Sequence, residues 1–454
     1  MNFTIKAGCI PLTKSLPPMI FLLSLGLWTT ALAETLGPRV PEADANRSSP
    51  TATAKKNLPT RMDIPPLKVA VPVLGTGVDE FSDKLEKEGI WPGLRKTETI
   101  RSATKIRDAL LDLNQFESVV VFPDTSISAD LYVLGSIRES TGEIMSIEWR
   151  LVDATGKIWI RKNKETHRVP PGWHERFGGQ GIDPFQKLYR KIAYSVYKEL
   201  KKFARKHDTV VKQNRKRARE GKSPKLSELD RIVAIRELVL AQYFAPEIYG
   251  DAIAEKKSSK AGSRLKGSRL TLQYLPDKSA QEWTRIESFR QRDETFTLLM
   301  NDYYNTFRAK VDPSYELWLK DIYPIARETR ILRSKANVEK ALGVVTLIAA
   351  ASAAKDADST GKRDRAIAVG AAVGSTLLIK GFIDSARSKE QLEIFNETAR
   401  SYHDSFNPIS VELAGKTITL QGTAQEQFAQ WRNLLRDFYE REDSEIEEVQ
   451  IIRE

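Results

Sequence analysis

The 454 residues carry 71 Lys and Arg against 60 Asp and Glu, a formal net charge of +11, and hold one cysteine, Cys9. Cys9 lies ahead of an apolar run of secretory type, so a chain cut after Ala33 keeps no thiol for a disulfide, a metal or nucleophilic attack. Such a chain loses only Lys6 and Lys14 from +11 and stays at +9, which favours anionic surfaces such as phospholipid head groups or cell-wall polymers. Export then excludes nucleic acid as a partner.

Lys6 and Lys14, the apolar run 19–32 and the small residues Ala31-Leu32-Ala33 predict a signal peptide over residues 1–33 and a periplasmic, membrane-associated product. Residues 34–65, rich in Pro, Ala, Thr and Ser without an apolar period, predict a disordered leader. Residues 67–71 read as a strand that Pro72 ends at an edge or bend. Ile100, Ala103, Ile106, Leu110 and Leu113 recur at helical spacing, and strands are expected at 119–122 and 131–137. Met145, Ile147, Trp149 and Leu151 alternate with polar residues, the period of a half-buried strand, and 153–156 turn the chain into another at 157–161. A helix then places Phe185, Leu188, Ile192, Val196 and Leu200 on one face. Strand, helix, four strands, helix describe a small α/β sandwich over residues 66–205.

Two runs in that segment carry a resemblance. Ala129-Asp130-Leu131-Tyr132-Val133-Leu134-Gly135-Ser136-Ile137, followed by Trp149-Arg150-Leu151-Val152-Asp153-Ala154-Thr155-Gly156-Lys157-Ile158, resembles the amino-terminal domain of the translocation protein TolB. The segment is also similar to the periplasmic domain of the curli secretion protein CsgG. The resemblance implies an assembly and docking module of the cell envelope.

Residues 201–225 hold eleven Lys or Arg against Asp208 and Glu220, with Lys212, Arg215, Lys216, Arg217 and Arg219 as the densest group. Two readings stand for the stretch, assigned as a basic linker over 206–226: a solvated helix end plus linker, or a tether to anionic lipid, to which each cation contributes about 1 kcal/mol. Ser227 with Asp230 forms a capping box that opens a helical domain over 227–336, with Leu229, Ile232, Val239 and Tyr243 following the period. A loop at 256–267 leads into a strand at 270–275 and helices at 280–290 and 293–310. Phe296, Leu299, Tyr303 and Phe307 make an aromatic stripe, and Tyr315, Trp318 and Tyr323 follow; such stripes are core positions.

Residues 337–386 contain two 14-residue runs of small and apolar residues, 341–354 and 366–379. Gly343, Ala350 and Ala354 in the first, and Ala366, Gly370 and Gly374 in the second, leave helical stripes with almost no side chain, against which another backbone packs closely. Each run as a helix is about 21 Å long, short of the roughly 30 Å of a bilayer's hydrocarbon. The hairpin is either buried in a soluble core or a glycine zipper for self-association or membrane contact.

Residues 387–454 order as helix, strand (409–413), strand (417–420), a helix capped by Thr423 and Glu426, and a closing strand at 448–452. The spacing of Val411, Leu413, Gly415, Ile418, Leu420 and Gly422 is similar to the strand-turn-strand signature of the BON domain, which implies contact with phospholipid surfaces and periplasmic scaffolds. Trp431 departs from that family, where a small residue is usual.

The chain is thus expected to be an α+β multidomain protein: a small α/β sandwich, a central helical region with a Gly/Ala-rich helical hairpin, and a carboxy-terminal αββαβ BON-like module. The four histidines, His167, His174, His207 and His403, show no metal-ligand spacing, residues 370–375 lack the lysine of a phosphate loop, and no Gly-x-Ser-x-Gly elbow occurs. These observations predict no metal, cofactor or catalytic residue. They favour an envelope scaffold or assembly factor that acts by binding envelope proteins and membrane surfaces and forms a homo-oligomer. The alternatives are a cell-wall glycan hydrolase with carboxylates in a deep polar cleft between residues 227 and 336, and an accessory subunit of an outer-membrane secretion channel.

Overall fold

The computed structural model describes residues 59–78, 91–257, 268–342, 386–403, 408–413 and 416–451. The protein mixes α and β structure, with several small sheets and a central helical region. Strands β1 (Lys68–Pro72), β2 (Ser118–Phe122), β3 (Leu131–Ser140), β4 (Ile144–Asp153) and β5 (Ile158–Arg168) form one sheet in the order β2-β1-β3-β4-β5. β1 runs parallel to β2 and β3, and β3, β4 and β5 are antiparallel.

The two kinds of strand differ in sequence for a physical reason. β1 and β2, KVAVP and SVVVF, are unbroken apolar runs and are buried on both faces, as parallel strands with covered faces require. In β4, Met145, Ile147, Trp149 and Leu151 are buried while Glu148 and Arg150 between them reach solvent. Pro72 ends β1, as expected, but the strand is internal, so of the expected edge or bend it is not the edge. It is tolerated because β1 and β3 pair only at Val69 and Ala70, so the ladder has already parted where the missing N–H would fall.

Helix α1 (Pro92–Leu111) packs on the sheet and against a long helix, α3 (Gln186–Arg219), beyond the short α2 (Trp173–Phe177). The expected apolar face of α1 is buried, and its opposite side is buried too: Arg95, Thr97, Glu98, Arg101 and Arg107 are enclosed. The cover comes from α6 (Gln281–Leu342) and α7 (Ala386–His403). Between α3 and α6 the chain forms α4 (Glu228–Phe244), the short α5 (Pro246–Tyr249) and a hairpin of β6 (Ile253–Lys257) and β7 (Ser268–Leu272). The region expected as a loop from residue 256 therefore begins inside a strand.

Several expectations change in this middle part. The helices expected at 280–290 and 293–310 are one, α6, which runs on through Pro313 and Pro324. Its buried stripe is Phe296, Met300, Tyr304, Phe307 and Val311, whereas Leu299 is 40% exposed; α6 meets β2 and a later helix on adjacent faces, which rotates the stripe by one residue. Val239 on α4 is likewise 39% exposed, and Ile235, Leu238 and Ala241 take the core positions. The Ser227–Asp230 capping box forms in both directions.

The last described elements are β8 (Ile409–Leu413), β9 (Lys416–Leu420) and α8 (Ala424–Ile451). Thr423 and Glu426 cap α8 reciprocally. The closing strand expected at 448–452 is absent as far as Ile451, because α8 continues through it. Glutamates favour a helix, and extending an existing helix is easier than starting a strand with no partner. The carboxy-terminal order is therefore αββα among the described residues.

The cores expected for separate domains are joined. Phe122 of the sheet meets Phe428 of α8 edge-on at 4.7 Å, Phe296 of α6 stacks on Trp431 at 4.9 Å, and Phe289 meets Tyr439 at 5.3 Å. One contiguous apolar cluster runs from Leu67 to Tyr439. Trp431 helps to seat α8 on α6.

Candidate functional site

The basic stretch is helix for most of its length. In α3 the buried residues Leu188, Tyr189, Ile192, Ala193, Val196, Leu200 and Phe203 hold its first part to the sheet, and Trp159 stacks on Phe203 at 3.7 Å. Past Phe203 the helix continues for about 24 Å as an arm with no fully buried residue. The boundary expected at 206 thus lies inside the helix.

The arm ends in a defined turn. Lys222 donates its N–H to the Arg217 carbonyl and Gly221 to that of Ala218, with Gly221 at φ +66°, the pattern that satisfies the last carbonyls of a helix. The chain then returns alongside the arm. Asn214 Nδ2 donates to the Lys225 carbonyl and Lys225 N–H to Asn214 Oδ1, both at 2.8 Å, while Arg217 Nε donates to the Ser223 carbonyl. His207 Nδ1 meets Ser227 Oγ at 2.7 Å and anchors the strap to the α4 cap. Lys212, Arg215, Lys216 and Arg219 are exposed and Arg217 is half-buried under the strap. Lys212 is 75% exposed and lies 3.9 Å from Asp208, too open for that pair to neutralise it.

A cleft of about 1100 Å³ lies elsewhere, between α6 and the connection 169–185. Its walls include Trp173, His174 and Glu175 from the connection and Glu316, Lys320, Tyr323, Arg327 and Glu328 from α6. The connection is Pro- and Gly-rich, and Gly172, Gly179 and Gly181 adopt positive φ, which lets it fold back on itself. It is held at both ends. Tyr323 Oη donates to the Val169 carbonyl at 3.4 Å and its ring lies 5.0 Å from that of His174; at the far end Asp183 pairs with Arg101 Nη2 at 2.6 Å.

Arg101 is the centre of a buried network. Its Nε donates to Asp312 at 2.7 Å, Lys105 reaches the other Asp312 oxygen at 3.1 Å, and the guanidinium lies over the Tyr315 ring at 4.3 Å. Burial works against the charge on Arg101, but Asp183 and Asp312 outweigh it and raise its pKa further. Burial likewise opposes ionisation of Asp312, and Arg101 with Lys105 overcomes it and lowers the carboxyl. Glu316 at the cleft is pushed up by burial and then by the Asp312 charge. His174 is pushed down by burial and by Lys320, against Glu175, and its buried Nε2 has no hydrogen-bond partner.

Gly343, Ala350, Ala354, Ala366, Gly370 and Gly374 lie outside the described residues. The structure does not bring the histidines together: His167 faces Phe185, His174 the cleft and His207 the α4 cap at Ser227, while His403 ends α7. No cluster of three metal-ligating side chains occurs among the described residues, and no described helix is long and apolar enough to cross a membrane. The polar cleft expected within 227–336 takes only its α6 wall from that region. Its other wall was missed; the signal for it was an irregular connection longer than packing alone calls for, which marks functional loops.

No family model matches the chain, and no curated protein and no solved structure matches it.

Proposed function

We propose that the protein is an exported cell-envelope scaffold or assembly factor that works by binding, and that the α3 arm attaches it to anionic phospholipid or cell-wall polymer. One observation carries this reading: residues 201–225, the end of α3 and its return segment, hold eleven cations and two acids, and past Phe203 none of these side chains is fully buried although the return is tied down. An arm that has no fully buried side chain yet is capped and strapped has the form of a presented surface. The likeness of 129–158 to TolB and CsgG domains and of 411–422 to BON domains supports an envelope role. In this reading Gly370 and Gly374 provide close-packing points for self-association.

Replacing Lys212, Arg215, Lys216 and Arg219 together by Glu tests the attachment. Sedimentation with vesicles containing phosphatidylglycerol should fall by at least tenfold and the wild-type binding should vanish in high salt, while thermal stability changes little. Equal sedimentation of the variant would remove the tether. Replacing Gly370 and Gly374 by Leu should abolish oligomers on a sizing column; unchanged elution would remove the self-association.

A further inference from the structure

We infer that α3 docks lengthwise on an anionic bilayer through one basic face that runs the whole helix, so that its sheet-bound half makes contact as well as its arm. The inference rests on the reading of the arm as a tether, and it adds a defined contact, a partner and an orientation.

Helical spacing sets the face. Positions 187, 191, 194, 198, 201, 205, 209, 212, 216 and 219 of α3 follow one another at three- and four-residue steps, which places them on one side of the helix. All ten are exposed; eight are Lys or Arg, and the others are Tyr194 and Thr209. The opposite side is occupied throughout. Leu188, Ile192, Val196, Leu200 and Phe203 hold it to the sheet and α1, and His207, Asn214 and Arg217 carry the same stripe on to the strap. The strap therefore returns along the covered side and leaves the basic side open for about 48 Å.

Helix stability does not account for this arrangement. Like charges three or four residues apart weaken a helix, and Lys187 with Lys191, Lys198 with Lys201, and Lys212 with Lys216 are such pairs. A helix face that serves only as a solvated surface alternates the two signs. Both acids of α3 lie off the ten positions: Glu199 is taken by Lys202 at 2.6 Å, and Asp208 reaches only Lys212, at 3.9 Å. The other seven cations of the face have no ion pair among the described residues.

The intervals and the composition select the partner. Successive cations of the face stand about 4.5, 6 or 10.5 Å apart along the axis in unequal steps, so a polymer of constant charge spacing meets few of them in register, whereas lipid head groups move to meet each one. The centre of a stable protein interface is depleted of charge and rich in aromatic and apolar groups, and this face offers a single side chain of that kind. Tyr194 is 58% exposed, lies 6.0 Å from the Tyr197 ring, and stands between Lys191 and Lys198 on the face. A tyrosine with an apolar ring and a wet hydroxyl belongs at head-group depth. The apolar side of α3 is already occupied by the sheet, so the helix lies on the bilayer and does not enter it. Because that half is packed on the sheet, the contact also fixes how the sheet stands to the membrane.

The test uses the full chain in a Cys9→Ser background, nitroxide-labelled at Lys198→Cys or at Lys212→Cys, and vesicles of phosphatidylglycerol with phosphatidylcholine. Both labels, one on the sheet-bound half and one on the arm, should be shielded from an aqueous nickel complex when these vesicles are added, and neither by phosphatidylcholine alone. Lys187→Glu/Lys191→Glu/Lys201→Glu, which leaves the arm unchanged, should lower sedimentation with the same vesicles by about tenfold or more and keep the wild-type circular dichroism. Shielding at 212 with none at 198, or full sedimentation of the triple variant, overturns the lengthwise docking and leaves the arm standing as the tether. No shielding at either label, with no sedimentation of the wild type, removes the arm's role as well, so the two failures are distinguishable. Shielding of both labels by soluble long-chain polyphosphate but not by vesicles would make the partner a free polyanion and overturn the bilayer.

Discussion

Arg432 of α8 grips Asp293 of α6 with two parallel hydrogen bonds, Nε to Oδ1 at 2.5 Å and Nη2 to Oδ2 at 2.7 Å. The guanidinium also lies over the Phe428 ring at 4.7 Å, so one side chain joins an ion pair to the aromatic seam between the two helices. Burial raises the Asp293 carboxyl even though Arg432 lowers it, which shows how much this site depends on its cation. Arg432→Leu should cost about 3–5 kcal/mol, the penalty for leaving one member of a buried pair alone. The double variant with Asp293→Asn should recover part of it. Urea unfolding midpoints decide the matter, and a loss below about 1 kcal/mol for the single variant would contradict the pairing.

Asn301 of α6 supplies a different tie. Its Oδ1 accepts the Val121 N–H and Arg107 Nη1, each at 3.0 Å, and so closes the edge of β2 that no strand covers among the described residues. Asn301→Leu keeps the volume but leaves both donors without this acceptor, at a cost of about 1–3 kcal/mol. Hydrogen exchange should show the loss of protection concentrated at the Val121 amide. An unchanged rate there would mean that the edge is protected by another route.

Acid stability follows from the two partly buried histidines. Burial lowers His167, with Lys187 and Lys191 adding to it, and burial with Lys320 lowers His174 below the ordinary value of 6.5. Each ring takes a proton less readily folded than unfolded, so the unfolded chain binds more protons in that window. Stability from these sites is complete above pH 6.5 and is lost as pH falls from there through the folded values. His174→Phe, which keeps a ring against Tyr323, should flatten the fall in melting temperature between about pH 7 and 5. A slope as steep as that of the wild type would show that His174 does not contribute.

Much of the sheet was legible because its signals are local. The alternation in β4, the apolar runs of β1 and β2 and both capping boxes depend on residues a few positions apart, and each reappears in the structure. What failed depended on distant cover. Arg101 and Glu98 on α1 are enclosed although nothing nearby in sequence announces that α6 and α7 will cover them. Leu299 and Val239 have the hydropathy of core residues but point away from it, because packing on two sides turned the helices. Lys212 and its neighbours were visible as a charge run, whereas the cleft between α6 and residues 169–185 joins segments far apart in sequence.

The enclosure of α1 has a consequence for how the chain matures. A polypeptide emerging from a ribosome or a translocation pore presents α1 long before α7 and α8 exist, and for that interval the flank bearing Arg95, Thr97 and Glu98 faces water without its lid. The cover of α1 is therefore completed only when the last seventy or so residues arrive. Until α7 closes over it, α1 keeps in water the polar groups that the finished fold encloses, so its final cover is among the last parts of the chain to be made.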